Sequence, residues 1–146
     1  MSPEARGLAE GYRSGLEEKV AAELKAAGVE APYEAFKLKY LVPVKHATYT
    51  WDFTILHNGI LVETKGRFVT ADRKKHLLIQ EQFPDLDIRF VFSNPRQKIG
   101  KKSETTYGMW CDRAGFIYAT RSVPQAWLDE PPTPARMAAL KALMGE

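Results

Sequence analysis

The stretch "DFTILHNGILVETK", residues 52–65, constrains the fold more than any other: two short apolar runs flank Asn58-Gly59. Asn-Gly is a favoured two-residue hairpin turn, because both residues tolerate the left-handed backbone such a turn needs. With that turn, His57 pairs with Ile60. Counting outward, Leu56 faces Leu61, Ile55 faces Val62, Thr54 faces Glu63, Phe53 faces Thr64 and Asp52 faces Lys65. Opposed residues share a face, as do alternate residues along a strand. Asp52, Thr54, Glu63 and Lys65 are therefore expected on one side, and Phe53, Ile55, Ile60 and Val62 on the other with His57 and Thr64. Asp52 lies diagonal to Glu63, at a Cα separation of roughly 7–8 Å. Two readings follow. The plain one is the polar face of a half-buried hairpin. The other is a pair of carboxylates sharing a small divalent cation, whose oxygen ligands sit at about 2.0–2.1 Å for magnesium. Lys65 would then supply a positive charge or a proton-handling group.

Around this pair the chain alternates helical and strand-like patterns. "RSGLEEKVAAELKAAG" reads as a helix, with Leu16, Val20 and Leu24 at helical spacing and Gly28 at its stop. Ser14 and Glu17 form a capping-box pattern at its start. "YEAFKLKYLV" alternates as a strand does, and "PVKHATYT" reads as a connector stiffened by Pro43. Such a connector would let the preceding helix–strand unit, about residues 13–42, pack on another chain. "TADRKKHLLIQEQF" reads as a helix capped by Thr70, and "LDIRFVFS" as a mostly buried strand. "TTYGMWCDRAG" reads as a short helix capped by Thr105 and stopped at Gly115. "FIYAT" is a further strand, a helical turn starts near Pro124, and "ARMAALKALM" is a terminal helix. A helix between the hairpin and the next strand supports an α/β layer with a mixed sheet flanked by helices.

Charge is unevenly spread. Between Thr64 and Lys102 stand ten basic and four acidic residues, within a chain of net charge +3. A basic middle in a near-neutral chain has two readings, plain solvated surface lysines or one cationic surface. Arg67, Arg73, Lys74, Lys75, Arg96, Lys98, Lys101 and Lys102 are its candidate phosphate contacts. The one cysteine, Cys111, excludes an internal disulfide and a thiolate zinc cage, and it fits a reducing compartment. No apolar run approaches the roughly 20 residues of a bilayer span, and the N-terminal stretch lacks a signal core. No membrane partner and no nucleotide cofactor are expected.

Glu17 has two readings as well: a capping-box acid, or an acid sheltered by Leu16 and Val20 that needs a partner. His46, His57 and His76 lack ligand-like spacing. His76, one turn from Arg73, is expected at the surface or facing a polyanion.

Taken together, "YRSGLEEKV", "YT-x-DF", "NGI-x-VETKG", "DRKKHLLI-x-EQ-x-P-x-LDIR-x-VFS" and "YG-x-x-C" resemble the phage endonuclease I family of Holliday-junction resolvases, within the PD-(D/E)xK nuclease superfamily. The resemblance runs from about Tyr12 to Trp127. It implies a restriction-endonuclease-like fold in a single nuclease domain, residues 1–146, assembled as an intertwined homodimer. It implies catalytic roles for Glu17, Asp52, Glu63 and Lys65. Asp52, Glu63, the Thr64 carbonyl and Glu17 would hold metal, with Glu17 delivered from the other chain. Two Mg2+ ions per site are implied, with Mn2+ as a substitute. The implied substrate is branched DNA, cut by paired nicks to 5′-phosphate and 3′-hydroxyl ends. The implied setting is the cytoplasm of a bacterium hosting a phage or prophage. A related nuclease acting on mismatches, or a junction-binding protein without catalysis, are the alternatives. Trp51 stands where the family usually has Pro, and the C-terminal tail is less basic.

Overall fold

The computed structural model describes residues 15–43 and 45–145. The elements are α1 (Gly15–Ala26), β1 (Lys37–Val42), β2 (Lys45–Thr50), β3 (Phe53–Ile55), β4 (Ile60–Lys65), α2 (Thr70–Gln82), β5 (Asp87–Phe92), α3 (Tyr107–Ala114), β6 (Tyr118–Thr120), α4 (Gln125–Asp129) and α5 (Pro134–Met144). Among the described residues β3, β4, β5 and β6 make one sheet in that order, and β1 pairs with β2 in a separate two-stranded sheet. β3–β4 is antiparallel, whereas β4–β5 and β5–β6 are parallel. The mixed sheet flanked by helices is therefore as expected. The Ser14 cap, Tyr12 and Arg13 lie outside the described residues.

Both faces of this sheet are covered. Leu61, Ile88, Phe90 and Phe92 point to one side, under Phe68, Ile79, Tyr107, Cys111 and Leu140, with Leu38 and Tyr49 of the small sheet. Ile60, Val62, Phe53, Ile55 and Val91 point to the other, under Val20 and Leu24 of α1 and Trp127 and Leu128 of α4. The hairpin thus has no wet face. Parallel strands joined through helices bury both faces, and the consecutive Ile60-Leu61-Val62 run matches that. Cys111 is in this core, where burial pushes its thiol up to about 12.

The hairpin register differs from the one expected. Phe53 pairs with Val62, Thr54 with Leu61 and Ile55 with Ile60. The loop is four residues, 56–59, closed by the Gly59 N–H to the Ile55 carbonyl at 2.8 Å. Asn58 is not spent on a two-residue turn. Its buried amide donates to the carbonyls of Trp127 and Glu130 at 2.8 and 3.0 Å, while its Oδ1 accepts from the Ile60 N–H. Gly59 has φ +82, a conformation that favours glycine, and a Cβ there would crowd the Met137 side chain, its Sδ 2.9 Å away. The register moved by two residues, which preserves the parity of each strand.

Three further expectations are corrected. "KHATYT" is a strand, β2, paired with β1 from Lys37↔Thr50 to Val42↔Lys45. Only Tyr49 of it is fully buried, so its alternation is faint. Thr70 is the first helical residue of α2, the N-cap being Val69 without a side-chain bond. Thr106, not Thr105, caps α3, accepting from the Met109 N–H, and Gly115 ends it in the left-handed conformation.

His76 is the largest departure. It is completely buried, with edge-on contacts to Tyr49 and Phe90 at 5.1 and 4.8 Å between ring centroids. Burial, with Lys75 and Lys65 nearby, holds it well below its usual pKa, and neither ring nitrogen finds a hydrogen-bond partner among the described residues.

Arg89 also leaves the expected cationic surface. It is buried beneath Trp127 and pairs with Asp87 and Glu130, each at 2.8 Å. Arg136, equally buried, binds the same two acids at 2.8 Å and donates to the Asn58 carbonyl at 2.9 Å. Burial alone would raise the Asp87 carboxyl; hydrogen bonds and charge from Arg89 and Arg136 override it and hold it below the usual range. This network ties α5 to the hairpin and to β5. Arg136→Met leaves those acids with half their counter-charge and is expected to cost ~3 kcal/mol, as for breaking a buried pair. Urea unfolding would read the loss. Lys141→Met, an exposed cation on the same helix, should stay within about 0.5 kcal/mol; equal losses at both positions would contradict the network's role.

Candidate active site

The site forms where β4 outlasts its neighbour. The last β3–β4 pair is Phe53–Val62, so the Thr64 N–H has no β3 residue to meet in the ladder. A buried N–H needs an acceptor, and the Asp52 carboxylate supplies it. Asp52 Oδ2 accepts from both the N–H and the hydroxyl of Thr64 at 2.8 Å. The Asp52 N–H donates in turn to Glu63 Oε2 at 3.2 Å. Asp52, Glu63 and Thr64 are each buried.

Two more acids arrive from elsewhere. Glu17 sits in the first turn of α1, where a negative charge suits the helix dipole. It is 7% exposed and accepts from the Tyr33 hydroxyl. Tyr33 itself is fixed by a bridge to Phe53 and by ring packing at 5.3 Å. Glu34 follows with φ +45, rare for a residue with a side chain, and its N–H donates to the Asp52 carbonyl at 2.8 Å. One carboxylate oxygen each from Glu17, Glu34 and Asp52 lie within 4.8 Å of one another.

Glu63 and Lys65 alternate along β4 onto the side facing α2. Lys65 Nζ is 3.5 Å from Glu63 Oε1 and 3.5 Å from Asp72 Oδ1. Beside them opens a cleft of about 640 Å3, lined in part by Glu34, Lys37, Tyr49, Glu63, Lys65 and Lys75. Burial first, then the Asp52 charge, push Glu63 up to about 8, against the pull of Lys65 and Lys75. Burial and then Glu63 and Asp52 raise the Tyr49 phenol well above its usual range. Burial and then Lys65 lower the Lys75 ammonium.

Glu17, Asp52, Glu63, Thr64 and Lys65 are thus brought together in one place. Glu17 reaches Asp52 within a single chain. The candidate phosphate contacts spread more widely. Arg67, Lys74, Arg96, Lys98, Lys101 and Lys102 are exposed. Lys98 pairs with Glu104, and Arg73 is turned back on the Phe68 carbonyl and Thr70 hydroxyl. Lys75 alone of that set lines the cleft. Glu34 was not foreseen from the sequence. It is a single acid among Pro32, Tyr33, Ala35 and Phe36, and what marks it is the backbone conformation and the fold that carries it to Asp52.

A sequence profile described as phage endonuclease I matches residues 2–146. The chain belongs to the phage endonuclease I family. Two relatives are similar over 120 residues, 82% of this chain: "Endonuclease I" of Escherichia phage T7, 50% identical with 80% of its length covered, and "Endodeoxyribonuclease 1" of Enterobacteria phage T3, 48% identical with 78% covered. Motif resemblance and whole-chain comparison therefore agree on the phage endonuclease I family. Among the described residues no helix is long and apolar enough to cross a membrane.

For this family member the donor set fits a hard divalent cation: oxygens only, crowded, and short of positive charge without one. A cation that took Glu63 as a ligand would displace the proton that burial keeps on its carboxyl. With the carboxyl raised from 4.5 to about 8, the protonated form favours the cation-free fold. That contribution is full below the unfolded pKa and is lost as pH rises through about 8. Apparent Mg2+ affinity should therefore climb with pH up to about 8 and then level off. Calorimetric titrations at several pH values, with proton release read from buffer dependence, check this; pH-independent affinity without proton release would contradict it.

Proposed function

We propose that the protein is a divalent-cation-dependent endodeoxyribonuclease that resolves four-way and other branched DNA junctions. Paired nicks would leave 5′-phosphate and 3′-hydroxyl ends. The observation that carries the reading is the contiguity of Glu17, Asp52, Thr64, Glu63 and Lys65 beside a lysine-lined cleft, in a chain of the phage endonuclease I family. Asp52, Glu63, the Thr64 carbonyl and Glu17 are the proposed ligands, and Glu34 brings a further carboxylate oxygen within 4.8 Å of those of Glu17 and Asp52. When bound, Mg2+ or Mn2+ supplies Lewis acidity at the phosphate and acidifies water.

The chain's own residues do the rest. Thr64 fixes the Asp52 carboxylate through two hydrogen bonds, and Tyr33 fixes Glu17, so the acids are oriented before substrate arrives. Lys65, restrained by Glu63 and Asp72, places positive charge where the phosphate gathers negative charge in the transition state. The exposed basic residues hold backbone phosphates over a broad area, which favours shape over base sequence.

Symmetric cutting calls for two sites. We further propose an intertwined homodimer in which the unit of about residues 13–42 exchanges between chains. β1 reverses into β2 at Pro43, with Val42 paired to Lys45. Opening that turn would carry α1, with Glu17, onto a second copy while conserving each contact. The substrate class is tested by offering a four-way junction, a mismatched duplex and a plain duplex at equal concentration. Preferential bilateral cutting of the junction is expected; a preference for the mismatch would reassign the substrate, and binding without cutting would remove the enzymatic reading.

A further inference from the structure

Lys65 and Lys75 reach the same oxygen of Asp72, at 3.5 and 3.8 Å. They come from different elements, the end of β4 and the second turn of α2. Lys75 lies 5.0 Å from the centroid of the Tyr49 ring, and its side chain is 26% exposed. A lysine on a helix surface ordinarily keeps its rotamer freedom and its full hydration. This one is pinned between an aromatic face and a carboxylate, with Glu63 and Lys65 across the same cleft. The Tyr49 ring also packs edge-on against the buried His76, at 5.1 Å between centroids, which restrains the platform. Lys74, one residue away, is exposed and outside the cleft.

We propose that Lys75 contacts substrate directly, gripping the phosphate next to the scissile one on the same strand. Both ammonium groups lie within 3.8 Å of one Asp72 oxygen, close enough together to serve phosphates of one strand, Lys65 at the bond to be cut and Lys75 beside it. Lys75 thereby sets the strand's position along the cleft, and Asp72 is the positioning residue that locks the two cations together. This rests on the nuclease reading and extends it from a broad cationic surface to one cation with a defined register.

Single-turnover cleavage of a pre-bound junction separates this role from general DNA attraction. Lys75→Met is expected to slow cleavage 10- to 100-fold with less than a threefold change in junction affinity, and Lys75→Arg to recover most of the rate. Lys98→Met, an exposed control, should show the opposite split. Substrates with a neutral methylphosphonate at each phosphate flanking the cut give the second measurement. At one of these positions the wild-type enzyme should slow as Lys75→Met does, with no further loss when both changes are combined. Independent, multiplying losses at both positions would overturn the assignment, as would wild-type rates for Lys75→Met. An unchanged thermal midpoint for Lys75→Met excludes a folding defect as the cause. If the wild-type protein cuts no junction at all, it is the nuclease reading that fails, not the placement of Lys75.

Discussion

Asp52→Asn should abolish junction cleavage, by a factor of at least 10³, while junction binding stays within a few-fold of wild type. The substitution keeps the size of the side chain, and its carbonyl oxygen can still accept from Thr64. What it removes is charge. Asp52 is the hub of the site: it accepts from the N–H and hydroxyl of Thr64, donates its N–H to Glu63 and stands within 4.8 Å of Glu17 and Glu34 oxygens. With Asp52 the proposed central ligand, losing its carboxylate would remove the cation's main anchor, a deficit worth several kcal/mol at the transition state. Each 1.36 kcal/mol is tenfold in rate, so three decades correspond to about 4 kcal/mol. Glu63→Gln should behave alike. Binding should survive because the exposed cations proposed to carry it, Arg67, Lys74, Arg96 and Lys98 among them, are left in place. Gel-shift affinity in Ca2+ and cleavage rate in Mg2+ separate the two quantities. Normal rates for both variants would remove Asp52 and Glu63 from the chemistry.

The second large effect is a recovery. In the proposed dimer, Glu17→Ala and Asp52→Asn homodimers should each be inactive, and the two chains mixed by refolding should form heterodimers. If α1 is exchanged, one site receives the intact Glu17 together with the intact Asp52, and the other receives both lesions. Nicking then returns at one site per heterodimer. If each site is built within one chain, both sites of the heterodimer carry one lesion and nothing returns. The contacts joining Glu17, Tyr33 and Asp52 are the same in either arrangement, since exchange conserves local packing. Absence of recovery in verified heterodimers would rule out the shared site and leave the catalytic residues untouched.

Much of the architecture was legible where periodicity and burial coincide. The hairpin, the helix after it and the β5 strand follow from apolar runs between clear stops. The register did not, because Asn58 is a tertiary anchor for the carbonyls of Trp127 and Glu130, and no local rule reveals that. Parity survived the two-residue shift, so Glu63 and Lys65 still share a face. β2 was hidden because a strand with one fully buried residue owes its existence to its partner strand. His76 was misplaced by its neighbours Lys74 and Lys75; its spacing of three from Ile79 puts it on the inward face of α2.

At the site, the β4 residues could be read because they are adjacent in sequence. Glu17 was drawn in by family resemblance, and its local setting was ambiguous between a cap and a sheltered acid. Glu34 had no signal. Its carboxylate reaches Asp52 only because a left-handed residue redirects the chain after Tyr33.

The most direct measurement is incubation of the wild-type protein with an end-labelled four-way junction, with and without Mg2+. Two symmetric nicks bearing 5′-phosphates, appearing only with the cation and lost in Asp52→Asn, are predicted. Equal cutting in chelator and in Mg2+, or an intact junction under both conditions with binding confirmed, would contradict a cation-dependent nuclease centred on Asp52.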